Sequence, residues 1–143
     1  MSTAPKIKVR PTGATATMGR TGFPHVVSAT GGAIDIKTGA SEAGFNPLDL
    51  LYASLSACLA ISARMAASKL GVLDKLTDVM VEVKGEKAPD EPSRVARFDI
   101  DFQIVGDFDD TTRQQIAELA EGSICTVSNT IQSQPAFNLT VRS

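Results

Sequence analysis

Tryptophan is absent, tyrosine occurs once, and only six phenylalanines are scattered along the 143 residues. A chain this poor in aromatics offers no platform on which nucleobases could stack. No basic excess compensates: 14 Lys and Arg face 16 Asp and Glu, a net charge of −2. The electrostatic footprint of a nucleic-acid partner is therefore missing. There is one histidine, His25. A zinc site built on it would need more ligands at workable spacing, so no metal and no cofactor is expected. The longest uncharged run, residues 50–63, is too short for a bilayer span and reads as a buried core helix. The opening MSTAPKIKVRPTG lacks the apolar core of a secretory signal, so a cytoplasmic protein with no membrane partner is expected.

What remains is a chain sized for one domain with its own core, residues 1–143. Residues 1–45 read as an antiparallel meander of three or four strands: KIKVR, ATATM, HVVSA and AIDIK, parted by Gly and Pro. A long helix is predicted over 46–70. Asn46 caps it, Pro47 suits its first position, Asp49 falls three residues after the cap, and Gly71 stops it. Its apolar residues form two stripes, one through Leu48, Leu51, Leu55, Leu59 and Ala66, the other through Leu50, Ala57, Ile61 and Met65. That pattern predicts burial on two sides.

Residues 77–143 predict a hairpin, two helices and a last strand. Alternation over 78–87 and 94–105 puts Val79, Val81, Val83, Phe98, Ile100, Phe102 and Ile104 on one face. Asp109 to Thr111 open a second helix, with Gln114 placed for a capping box. A short helix follows over 124–132, and 137–142 forms the last strand. Strands segregated from helices indicate an α+β domain.

Chemistry rests on two cysteines, Cys58 in the long helix and Cys125 near the start of the short one. A thiol attacks as its thiolate, which needs a nearby cation or a helix N-terminus. Cys58 lies deep in its helix, so a side-chain cation is required, most naturally an arginine. If Cys58 were oxidised to a sulfenic acid, a second thiol could condense with it to a disulfide. That requires Cα atoms roughly 4.4–6.8 Å apart. The competing reading makes both cysteines small core residues. The residues alone leave both open.

Three segments together resemble the OsmC/Ohr family of thiol-dependent peroxidases. NPLDLLYASLSACLA is similar to the family's N-P-E-x-L or P-x-E-L-L helix opening followed by small residues and a cysteine. Cys125-Thr126-Val127-Ser128 resembles its C-P-V-S segment, with Thr126 where proline is usual. ATATMGRTGFPHVVSATGGAIDIKTG resembles its N-terminal meander, where Arg20 matches the catalytic arginine. The resemblance implies an OsmC-like fold, with antiparallel sheets around long central helices in an intertwined homodimer. It implies Cys58 as the peroxidatic thiol, Cys125 as the resolving thiol and Arg20 as the cation. The substrate would be an organic hydroperoxide and the reductant a dithiol, such as a lipoylated protein.

One position departs from the Ohr pattern. Leu48 stands where that branch has a glutamate that orients the arginine, and Asp49 stands where the P-x-E-L-L branch has its own. Asp49 is thus a candidate catalytic acid or simply a helix cap. Phe23, Phe45 and Leu48 are candidates for an apolar substrate pocket, against ordinary core packing. The departure keeps a second reading open, a weakly catalytic or non-catalytic binder of a small ligand. A protein thiol–disulfide oxidoreductase ranks last, because no C-x-x-C motif is present.

Overall fold

Asn46 and Asp49 bind each other's backbone at the start of the long helix α1, Pro47–Lys69. The Asn46 N–H donates to Asp49 Oδ2 at 3.0 Å and the Asp49 N–H to Asn46 Oδ1 at 2.8 Å. Two otherwise unpaired helix donors are satisfied reciprocally, as the spacing predicts. At the other end Gly71 has φ +75°. Its N–H donates to the Ser68 carbonyl and the Val72 N–H to the Ala67 carbonyl, which closes the helix.

A computed structural model describes residues 9–39 and 41–143. The described residues group into two compact units, divided between Leu50 and Leu51. Helix α1 begins in the first and continues through the second.

The first unit holds strands β1 (Ala14–Thr17), β2 (His25–Ser28) and β3 (Ala33–Asp35), antiparallel in the order β1-β2-β3. This is the predicted meander with three strands. Of the fourth candidate, KIKVR, residues 6–8 lie outside the described residues and Val9 and Arg10 form no strand. His25 and Asp35 face each other across β2 and β3, with Nδ1 and Oδ1 2.7 Å apart. The single histidine is thus engaged by a carboxylate.

The second unit is built on a hairpin of β4 (Leu76–Lys87) and β5 (Val95–Gly106). A short 3₁₀ turn over Leu73–Lys75 leads into it. Helix α2 (Asp110–Leu119), a π-turn over Ala120–Ile124 and helix α3 (Thr126–Gln132) follow. Period-two alternation gives the hairpin an apolar face, and α1 lies against it. Ala63, Ala66 and Ala67 pack with Ile104, Ile116 and Ala120 in one cluster, and Leu55 and Leu59 with Cys125 in another. The small alanines let α2 approach α1 closely, and burying Leu59 fully stabilises the fold by about 1.5–3 kcal/mol. Arg113 ties α2 to the end of β5. Its Nε donates to the Ile104 carbonyl at 2.7 Å, and its guanidinium lies 5.1 Å from the Phe108 ring centre.

Four expectations change. Asp109 does cap α2, accepting from the Thr112 N–H at 2.8 Å, but Gln114 lies too far along and instead donates to Glu118 Oε1. Residues 137–142 form no strand, because no described segment pairs with them; Phe137, Leu139 and Val141 are 93%, 90% and 85% exposed. The second stripe of α1 is not buried in this chain: Ile61 and Met65 are about half exposed. Finally, α1 is longer than its uncharged run. At 23 residues it is apolar and long enough to cross a membrane by length and composition alone, although Leu55, Leu59, Ala63, Ala66 and Ala67 pack inside the protein.

Candidate active site

Cys58 lies in the middle of α1 on the side facing the hairpin. Cys125 is the residue at which the π-turn ends and α3 begins. The π-turn widens the backbone by one residue, so the Cys125 N–H reaches the Ala120 carbonyl at 3.0 Å. Such turns often mark functional positions. Here it brings the Cys125 side chain inward, where it is fully buried against Leu55 and Leu59. Both cysteines are free thiols. Cys58 packs on the same cluster, and the two side chains are hydrogen-bonded to each other. The two sulphurs singled out from sequence therefore meet.

Their acidities are driven apart. Burial pushes Cys58 up, the largest single influence on it. Hydrogen bonds from the Val127 N–H, the Cys125 thiol, the Ser62 hydroxyl and the Thr126 N–H together outweigh that, and Cys58 ends below an ordinary thiol. Cys125 ends above it. Burial is the main cause, opposed by the Ser128 N–H and reinforced by the bond and charge of Cys58. The pair thus holds one sulphur ready to ionise and one that keeps its proton, the arrangement that a nucleophile and a resolving thiol require.

The other candidates from the sequence belong to the first unit. Arg20 is exposed in the loop joining β1 to β2, and Phe23 and Phe45 are about half exposed within the first unit. Leu48 is half-buried in the first turn of α1. Asp49 uses Oδ2 in the helix cap. Arg64 is exposed on α1 and lines a cleft of about 270 Å³ with Asp78.

Sequence reasoning missed four contributors. Ser62 is buried one turn beyond Cys58, and the i, i+4 spacing on a helix is the signal that finds it. The Thr126 and Val127 amides come from the start of α3, which depends on tertiary placement. Glu121 is half-buried. Its Oε1 accepts from Ser128 Oγ at 3.4 Å and Gln132 Nε2 at 3.1 Å, while the Ser128 N–H donates to Cys125 Sγ at 3.4 Å.

Solved structures share this fold. An organic hydroperoxide resistance protein from Elizabethkingia anophelis superposes with a TM-score of 0.71 at 23% identity, covering 89% of this chain and 91% of that one. An organic hydroperoxide resistance protein OsmC from Legionella pneumophila gives 0.70 at 22%, covering 89% and 93%. An OsmC-like protein from Mycoplasma pneumoniae gives 0.72 at 17%, covering 87% and 89%. At such identities the likeness shows the α+β fold. No curated protein matches the chain. The family model described as "OsmC-like protein" matches residues 39–140, most of the chain and both cysteines included, so the protein belongs to the OsmC-like family.

Proposed function

We propose that this protein is a cysteine-dependent peroxidase that reduces organic hydroperoxides in defence against oxidative stress. Family membership supports a redox role, and the solved relatives named for organic hydroperoxide resistance point to the substrate class. The observation that carries the reading is the hydrogen-bonded Cys58–Cys125 pair with its opposed acidities.

The Cys58 thiolate attacks the distal oxygen of the hydroperoxide. The O–O bond breaks, the alkoxide leaves and takes a proton to become the alcohol, and Cys58 becomes a sulfenic acid. Cys125 then attacks that sulphur, and water leaves as the disulfide forms. A dithiol reductant returns both thiols. Arg20 supplies positive charge to the thiolate and to the leaving oxygen, and Asp49 orients it. Phe23, Phe45 and Leu48 contribute apolar surface for the organic tail.

The reading includes a homodimer and a cytoplasmic location, where thiols stay reduced. Two features support the homodimer: the exposed Ile61 and Met65 on α1, and the exposed Phe137, Leu139 and Val141 of the last segment. A second copy of the chain covers both.

Cumene hydroperoxide and dithiothreitol test the reading directly. Cys58→Ser is expected to reduce peroxide consumption to the uncatalysed background; equal consumption by variant and wild type rejects it. Leu48, standing where the Ohr branch has its glutamate, motivates the alternative, a ligand binder with little catalysis, and Asp49 has one carboxylate oxygen committed to the helix cap. Cys58 alkylation at pH 6 no faster than that of free cysteine favours the binder.

A further inference from the structure

Helix α3 has seven residues, too few to hold its backbone in place without tertiary ties. Glu121, in the π-turn before it, supplies two of them. Its Oε1 accepts from Ser128 Oγ at 3.4 Å and from Gln132 Nε2 at 3.1 Å. Gln132 Nε2 gives its other hydrogen to Ser128 Oγ at 2.8 Å. Ser128 and Gln132 are one turn apart, so both bonds come from one face of α3. A third tie runs from Asn129 Nδ2 to the Ser123 carbonyl at 3.0 Å and joins the same turn to the same helix.

Cys125 is the residue at which turn and helix meet. Its N–H is held by the Ala120 carbonyl, and its sulphur accepts from the Ser128 N–H. Ser128 is 4% exposed, so no bulk water stands ready to replace Glu121 as partner of its hydroxyl. The Glu121 oxygen therefore anchors the residue whose amide touches the sulphur. The groups that set the acidity of Cys125 are, besides its burial, the Ser128 amide, Cys58 and the Val127 amide. Glu121 acts through Ser128, as a hydrogen-bond acceptor, rather than by its charge.

We infer that Glu121 is a positioning residue for the resolving step: its side-chain oxygen fixes Ser128, and through the Ser128 amide it holds the Cys125 sulphur where it can attack Cys58. The inference rests on the peroxidase reading for the step it serves. In that step the Cys125 sulphur attacks the sulfenic sulphur of Cys58. The S–S bond forms, the S–O bond breaks, and the leaving hydroxide takes the Cys125 proton as water. An N–H donated to sulphur favours the thiolate that attacks, so loosening Ser128 slows the step and moves it to higher pH. The titratable neighbours of Cys125 are Cys58 on α1 and, beyond Ser128, Glu121; β4 and β5 face its cluster with Val81, Val83, Phe98, Ile100 and Phe102.

The test uses whole protein and closes the disulfide with diamide, so that it depends on no peroxide. Cys58 adds to the N=N bond, Cys125 attacks that sulphur, and the hydrazine leaves with the two electrons. At saturating diamide the second step is timed by loss of free thiols across a range of pH. Glu121→Ala should slow closure by about threefold to tenfold, the scale of one buried hydrogen bond, and move its inflection to higher pH. Glu121→Gln keeps an acceptor oxygen and should restore closure to within about twofold of wild type. Ser128→Ala, which removes the hydroxyl and keeps the amide, should slow closure too. The double variant Glu121→Ala, Ser128→Ala should be little slower than either single one, because the two act through one bond. With cumene hydroperoxide, Glu121→Ala should let the Cys58 sulfenic acid accumulate, seen as a larger yield of dimedone adduct on Cys58.

Closure in Glu121→Ala at the wild-type rate and pH overturns the inference. So does a Glu121→Gln variant as slow as Glu121→Ala, which would make charge the cause. Slower closure with an unmoved inflection and a lowered melting temperature also overturns it, since the residue would then serve the fold alone. Failure of diamide to join the cysteines in wild type removes the resolving thiol and the inference with it. Failure of cumene hydroperoxide to oxidise wild-type Cys58 rejects the peroxidase reading instead, and leaves the diamide result standing.

Discussion

The Cys125 thiol donates a hydrogen bond to the Cys58 sulphur between α1 and the start of α3. Both groups sit in the same apolar cluster, where a charge is disfavoured. Two thiolates in contact would repel, so the pair ionises one sulphur at a time. The donors decide which one. Cys58 receives two backbone amides, a thiol and a hydroxyl, whereas Cys125 is buried more completely and bears the charge of its neighbour.

That asymmetry predicts a reactivity profile. Because Cys58 ionises below an ordinary thiol, it holds a larger thiolate fraction than free cysteine at any pH where both are partly protonated. Iodoacetamide should modify Cys58 faster than a cysteine peptide there, with Cys125 reacting only at higher pH. Cys125→Ala removes one donor, and the Cys58 inflection should move upward. A Cys58 profile superimposable on the peptide's contradicts the assignment.

Ser62→Ala isolates another donor. The hydroxyl is buried and reaches Cys58 one turn along α1. A hydrogen bond to an ionised group contributes about 1.5–3 kcal/mol when buried, less for a half-exposed sulphur, so alkylation at pH 6 should slow by about threefold to tenfold. Thermal stability should change little, since the variant leaves no strained contact. Unchanged alkylation with unchanged folding would remove Ser62 from the site.

How much of this was legible in the sequence follows from the range of each signal. The cap at Asn46 and Asp49, the stop at Gly71 and the alternation of β4 and β5 are short-range, and each appears where its residues indicate. The alternation over 137–142 is equally clear, yet a strand exists only with a partner to receive its backbone hydrogen bonds, and no described segment of this chain supplies one. The exposed second stripe of α1 follows the same logic: an apolar pattern states that a face seeks burial without naming what buries it. The two cysteines stood out because they are the only ones, whereas Glu121 and Ser62 are ordinary polar residues whose importance comes from tertiary contact alone.

Gly85 faces a different constraint. It is the residue of β4 directly opposite Phe98, and the Tyr52 ring of α1 covers it while packing edge-on against Phe98 with centroids 6.1 Å apart. A Cβ at this position would lie 2.7 and 2.8 Å from Tyr52 Cε1 and Cζ, too close for ordinary contact. Replacing a strand glycine usually contributes about 0.5–1 kcal/mol through reduced chain entropy. Overpacking costs about 1–3 kcal/mol, so the steric effect should prevail and Gly85→Ala should lower the denaturant midpoint. Tyr52→Ala in the same chain should make the two changes non-additive, because they share one contact. Simple additivity in urea unfolding would show that the ring moves aside at no cost.

The exposed residues Phe137, Leu139 and Val141 carry the last prediction. They alternate in the sequence, so an extended backbone would put all three on one side, and each leaves more than four-fifths of its surface in water. Burying a side chain of this kind contributes about 1.5–3 kcal/mol, enough for the three together to decide an association. Under the homodimer reading, Leu139→Asp combined with Phe137→Asp should shift sedimentation from two chains toward one at micromolar concentration. The variant chain should keep its α1–hairpin core, because neither residue belongs to either buried cluster. Sedimentation as a dimer in both proteins, with unchanged concentration dependence, would mean that this segment contributes nothing to association and that the contact lies elsewhere, with the exposed Ile61 and Met65 face of α1 the next to test.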